Sequence, residues 1–155
     1  DGPSGLEVIS EKTVDLTLLD RHMPGMAGDE VLGELDNHGY DGRVVMVTAI
    51  DPGFDVLDMP FDDYLCKPVD REDIREVIGH QSTILGYELL GEYFSVESKR
   101  SVIETEVPVD ERDDHDAYQK VRARAERLQQ KARRLLDDAE ELFETFESIE
   151  RESRQ

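Results

Sequence analysis

Three residues, an aspartate, a threonine and a lysine, each at the end of a short apolar run, have the strongest claim to chemistry in this chain. Asp20 closes Val14-Asp15-Leu16-Thr17-Leu18-Leu19, Thr48 closes Arg43-Val44-Val45-Met46-Val47, and Lys67 follows Asp63-Tyr64-Leu65-Cys66. A carboxylate at a strand end can project into an open cleft and attack phosphorus as a nucleophile. A hydroxyl and an ammonium brought to the same place, with the backbone N–H groups of the turn after Asp20, would hold phosphoryl oxygens. Taken singly, each has a plainer role: Asp20 as a turn cap, Thr48 as a β-former, Lys67 as a surface cation. Their convergence is what points to function. His22, His38, His80 and His115 are scattered without metal-ligand spacing, so no zinc site is expected.

The elements that would position these groups alternate between short apolar runs and helical patterns. The three runs are short and rich in β-branched residues, which favours strands buried on both faces of a parallel sheet. Between them, Ser4 and Glu7 make a capping-box pattern for a helix through about Lys12. Val31, Leu32 and Leu35 mark a second helix between Gly28 and Gly39. Asp70 can cap a third, with Ile74, Val77 and Ile78 as its apolar stripe. Strands alternating with helices imply right-handed crossovers and a doubly wound sheet, whose ligands lie at the carboxyl ends of the strands. Met59-Pro60-Phe61 and the short Asp51-to-Asp58 stretch imply that the helix before the last strand is reduced.

Composition limits the rest. The 155 residues carry 38 acids against 18 bases, a formal charge of -20, and the excess is shared by both halves: 19 acids against 6 bases up to His80, and 19 against 12 beyond it. Only 5 of the 18 bases are lysine. Such a charge self-repels in dilute salt but is screened within about 3 Å at 1 M, so a salt-loaded cytoplasm of the halophile kind is expected. The single cysteine, Cys66, rules out an internal disulfide and reads as buried filler in an apolar run. No apolar stretch reaches membrane-spanning length and no signal peptide is visible. The expected setting is therefore a cytoplasmic, non-membrane protein. The chain opens at Asp1 in what reads as the middle of a domain, so a fragment is expected.

Beyond Gly79 the pattern becomes helical. Leu85, Leu89, Tyr93, Val96 and Ile103 keep helical spacing until Pro108, with Gly86 and Gly91 weakening that helix by about 1 kcal/mol each. Tyr118, Val121, Ala125, Leu128, Ala132, Leu135, Ala139, Leu142, Phe146 and Ile149 then step by three and four. That is a heptad seam on a helix about 48 Å long. Leu136 and Phe143 widen it, so more than one partner helix is expected. Lys120 to Arg134 is a basic block and Asp137 to Glu152 an acidic one, both opposing the dipole of a single helix. An antiparallel homodimer through Tyr118–Ile149 would set basic block against acidic block. Packing on the preceding helix is the close competitor.

Leu18-Leu19-Asp20-Arg21-His22-Met23-Pro24-Gly25, Val47-Thr48-Ala49 and Asp63-Tyr64-Leu65-Cys66-Lys67-Pro68 occur in the order and spacing of two-component response-regulator receivers. The segment 1–80 resembles that family. The resemblance implies a flavodoxin-like α/β fold with a doubly wound parallel sheet lacking its first strands. It implies phosphoryl transfer from a histidine kinase to Asp20, with Thr48 and Lys67 contacting the phosphoryl group. Tyr64 would be the switch aromatic, and Pro68 would hold a cis peptide. It also implies Mg2+ on Asp20, on the backbone carbonyl of His22, and on an acidic pair from the first strand. That pair is absent before Asp20, where Asp15 is mid-strand and Glu7 and Glu11 are helical. Residues 81–155, with Tyr93-Phe94 and Ser98-Lys99-Arg100, resemble the HalX domain of haloarchaeal response regulators, and their helical spacing gives an all-α hairpin or coiled-coil extension. The chain is expected to be a signalling phosphoprotein rather than an enzyme beyond self-catalysed transfer and autodephosphorylation. The alternatives are a DNA-binding transcriptional regulator, against which the net charge of both halves counts, and a phosphorylation-incompetent receiver used for dimerisation. A haloacid-dehalogenase-type hydrolase would need a second aspartate where His22 stands.

Overall fold

The computed structural model describes residues 1–49 and 53–152. Asp51 and Pro52 of the stretch expected to carry a reduced helix lie outside the described residues, as does the Glu150 side chain of the acidic block. The chain divides into two compact units, Asp1–Ser82 and Thr83–Gln155.

The first unit contains α1 (Gly2–Glu11), β1 (Leu16–Asp20), α2 (Gly28–Asn37), β2 (Arg43–Thr48), a 3-10 turn (Phe54–Asp58), β3 (Asp63–Cys66) and the start of α3 (Arg71–Glu106). The strands form a parallel sheet in the order β1-β2-β3. β2 lies between the other two and is buried from Val44 to Thr48. The expectation of strands buried on both faces holds for β2 alone: β1 buries only Leu19, β3 buries no residue fully, and Leu18 is exposed. Neighbours on both sides bury β2, whereas β1 and β3 each pair with one strand. Val44 and Met46 join Leu19, Val31, Leu32 and Leu35 in one cluster, with Leu6 and Ile9 of α1 and Tyr64 of β3 against it. Val45 and Val47 alternate to the opposite face of β2.

Several local expectations are corrected. α1 begins earlier than the Ser4 pattern predicts, because Asp1 is the cap: its Oδ1 accepts from Ser4 N at 3.0 Å, and Pro3 suits the first turn. At α3 the Asp70 cap is present, with Oδ1 accepting from Glu72 N (2.7 Å) and Asp73 N (3.0 Å) while Asp73 Oδ2 accepts from Asp70 N. α3 then runs through Gly79 without a stop, and of its expected stripe only Val77 is buried, Ile78 being exposed. Cys66 is exposed rather than buried, because it ends a strand that pairs on one side only.

The second unit holds the rest of α3 with α4 (Val109–Asp113), α5 (Asp116–Leu135) and α6 (Ala139–Glu152). The expected unbroken helix Tyr118–Ile149 is interrupted at 136–138, where Leu136 is extended (φ -120°, ψ 126°). The break resolves the dipole conflict. Arg133 and Arg134 become the last turn of α5, and Glu140 and Glu141 the first turn of α6, each at the end its charge favours. Leu85, Leu89, Leu90, Tyr93 and Val96 of α3 then form one core with Ala125, Leu128, Ala132, Leu136, Ala139 and Phe143. Phe94 stacks on Phe146 at 4.1 Å, and Tyr93 meets Phe143 edge-on at 5.0 Å. Half of the seam assigned to a homodimer is thus buried within one chain, and Val121, Leu135 and Leu142 pack partly buried against the same core. Arg124 pairs with Glu92 and Arg133 with Glu140 (2.5 Å), so these members of the basic block meet acids of the same chain. Among the described residues, no helix is long and apolar enough to cross a membrane.

Candidate functional site

Parallel pairing sets the geometry of the site. Asp20 ends β1 opposite Val47, Thr48 ends β2 opposite Cys66, and Lys67 follows directly, so the three candidate residues share one end of the sheet. Lys67 N donates to Thr48 O at 2.6 Å, which extends the β2–β3 ladder by one bond. The Lys67-Pro68 peptide is cis. Lys67 Nζ reaches Asp20 Oδ2 at 2.5 Å, and His22 N donates to Asp20 Oδ1 at 3.0 Å. Both carboxylate oxygens are therefore engaged, yet the Asp20 side chain remains 34% exposed. The Lys67 hydrogen bond holds the Asp20 carboxyl below the ordinary carboxylate range; partial burial pushes the other way, and the His22 N–H and the Lys67 charge add to the lowering. Asp20 is accordingly an ionised, solvent-reachable carboxylate at neutral pH.

Thr48 has no exposed surface. Tyr64 is half-buried against the core cluster, its ring 5.6 Å from that of Phe61. The carboxylate and the ammonium are thus in contact, with the threonine on the adjacent strand end.

Two contributors were not singled out from sequence. Arg21 bonds to Asp29 of α2 (3.1 Å) and to Asp55 of the 3-10 turn (3.0 Å), which raise its pKa further above the ordinary arginine range. It thereby ties the residue after Asp20 to two flanking segments. Its partners are 8 and 34 positions away, beyond any local pattern; a cation beside the acceptor in so acidic a chain was the available signal. Gly28 is the other. A Cβ there would lie 2.3 Å from Asp20 O and 2.7 Å from Arg21 Cα, so only glycine lets α2 start against the end of β1.

The metal donors are fewer than the family resemblance implies. No group of three His, Cys, Asp or Glu side chains that could hold a metal exists among the described residues. Asp20 and the His22 carbonyl supply two donors, and Asp20 Oδ2 already carries Lys67. Two protein oxygens are fewer than the carboxylates and carbonyl that the resemblance implies, and water would have to complete the shell of a hard cation held here.

The family profile of the response regulator receiver domain matches residues 1–79, and that of the HalX domain matches residues 83–149. A candidate transcriptional regulator of Haloferax volcanii is 39% identical over 117 residues, 75% of this chain and 20% of that protein. The nitrate/nitrite response regulator protein NarL of Escherichia coli K12 is 35% identical over 85 residues, 53% of this chain and 39% of that protein. The chain therefore spans well under half the length of these relatives. Among solved structures, the signal receiver domain of a candidate Luxo repressor protein from Vibrio parahaemolyticus superposes with a TM-score of 0.54 at 21% identity, over 59% of this chain and 72% of that one. That likeness shows the fold, an α/β receiver sheet.

Proposed function

Because the chain belongs to the response regulator receiver family and continues into a HalX domain, we propose that it accepts a phosphoryl group from a histidine kinase on Asp20 and signals through its helical C-terminal segment. The observation that carries this reading is the ionised Asp20 carboxylate in contact with Lys67 at one end of a parallel sheet. In the transfer, an Asp20 oxygen attacks phosphorus, the P–N bond to the kinase imidazole breaks, and the departing ring nitrogen takes the electron pair. Lys67 offsets the charge gathering on the phosphoryl oxygens, and the His22 N–H orients the carboxylate. Thr48 and Tyr64 act on the product: the hydroxyl turns to a phosphoryl oxygen, and the aromatic follows it inward. The chemistry is self-catalysed acceptance and release in the cytoplasm, with no further substrate.

The test is labelling by acetyl phosphate or a cognate kinase, read as an acyl phosphate on a phosphate-affinity gel. The wild type takes the label and Asp20→Asn does not; equal labelling of the two would remove Asp20 as acceptor.

A second reading, that the output acts on DNA, is favoured by the description of the Haloferax relative. It is opposed by the -20 charge and by the use of Arg124 and Arg133 in ion pairs. A gel shift in molar salt separates the two readings: retarded duplex supports the second, and none supports the first.

A further inference from the structure

We propose that the cavity between the end of α3, α4 and the start of α5 is a binding site for a small organic acid, a monocarboxylate with a flat or branched apolar body. The cavity holds about 330 Å³, and Ile103, Val107, Val121 and the Tyr118 ring make its wall mainly apolar. That volume lies within the range of small-molecule sites, roughly 300–1,000 Å³.

The polar groups at its edge choose the ligand. Arg100 is already neutralised, by Glu97 and by Glu104 at 2.6 Å. Arg112 is not. Its Nη1 donates to the Glu104 carbonyl at 2.9 Å, its Nε is buried without a hydrogen-bond partner, and its nearest carboxylate, Asp113, stands at 3.9 Å. The guanidinium carbon lies over the Tyr118 ring, 5.9 Å from the centroid, which keeps the charge beside an aromatic part of the wall. Lys99, also on the wall, has no ion pair among the described residues. Glu111 is the single acid of the wall and is exposed. Two incompletely paired cations beside an apolar hollow, in a chain of net charge -20, fit a carboxylate head with a hydrophobic body. The apolar part keeps its affinity in molar salt, where the ionic part alone would be screened. The site is independent of the chemistry assigned to Asp20.

The test is calorimetric titration of the whole chain in molar KCl with 2-naphthoate, 2-naphthamide and acetate. Naphthoate is expected to saturate one site per chain. Naphthamide, which lacks the charge, should bind at least about tenfold more weakly, and acetate, which lacks the body, should not bind measurably. Ala117→Phe places a ring in the cavity from an exposed wall position and should abolish naphthoate binding with the helical circular dichroism unchanged. Arg112→Gln should weaken it about tenfold; if that variant does not fold, Ala117→Phe and the amide comparison decide. Absence of saturation, equal affinity for the amide, or unchanged binding by Ala117→Phe would each overturn the proposal.

Discussion

Gly86 and Gly91 lie five residues apart in α3, and substituting alanine should move stability in opposite directions. In an exposed helix interior, alanine is favoured over glycine by about 0.8–1 kcal/mol. A Cβ at Gly91 would meet nothing within 4 Å, so Gly91→Ala should gain that amount. At Gly86 the same Cβ would stand 2.6 Å from Leu136 Cγ, 2.7 Å from Leu136 Cδ2 and 3.3 Å from Leu135 Cβ. Leu136 is buried in the turn between α5 and α6 and cannot yield without disturbing the core it closes. Overpacking of this kind costs about 1–3 kcal/mol. Gly86→Ala should therefore be neutral to destabilising, by up to about 2 kcal/mol, despite its better helix propensity. For a unit of this size 1 kcal/mol moves Tm by about 4–8 °C. Thermal unfolding followed by far-UV circular dichroism in molar KCl should place Gly91→Ala above the wild type and Gly86→Ala at or below it. If Gly86→Ala rises as far as Gly91→Ala, α3 does not carry the α5–α6 turn at Gly86 and the packing argued for the second unit is wrong.

Other outcomes follow from the receiver unit and the aromatic cluster. Gly28→Ala should cost about 1–3 kcal/mol in chemical denaturation and reduce Asp20 labelling, because the new methyl would displace the Asp20 carbonyl; normal labelling would disprove the close approach. The lowered Asp20 pKa means that its folded-state carboxylate contributes stability above the ordinary carboxylate pKa and loses it as pH falls through the lowered value. Wild type should thus exceed Asp20→Asn at neutral pH by less than about 1 kcal/mol, since the pair is over one-third exposed. The gap should close in acid, and a gap that widened would reverse the assignment. Phe94→Ala should cost about 2–4 kcal/mol through loss of the Phe146 stack and the Phe143 edge contact, read by the same thermal assay. Cys66 should react with a thiol reagent in the folded protein at close to the rate of the unfolded chain, correcting the expectation of burial.

The legible parts of the fold were those set by local chemistry. The limits of β2 and β3 and the Asp70 cap follow from runs of a few residues and match the structure, while the cis Lys67-Pro68 bond was implied by the family resemblance and is present. The sharing of one sheet end by Asp20, Thr48 and Lys67 followed from parallel topology. What escaped was set at a distance. The Arg21 links cross 8 and 34 positions, and the need for Gly28 arises from a backbone approach that composition does not encode. The break at 136–138 was hidden because apolar spacing continues through it. The charge order held the clue: basic residues followed by acidic ones suit two helices meeting end to end and oppose one.

That three-residue turn governs more than the path of one chain. If it straightened, α6 would leave its own α3, and the same Phe146-on-Phe94 stack could form only with the α3 of a second molecule. Closed and exchanged forms would share every contact except those of the hinge, so their free energies would differ by hinge strain and a concentration term. Lengthening the 136–138 turn would favour the closed form, and rigidifying it as helix would favour a swapped pair.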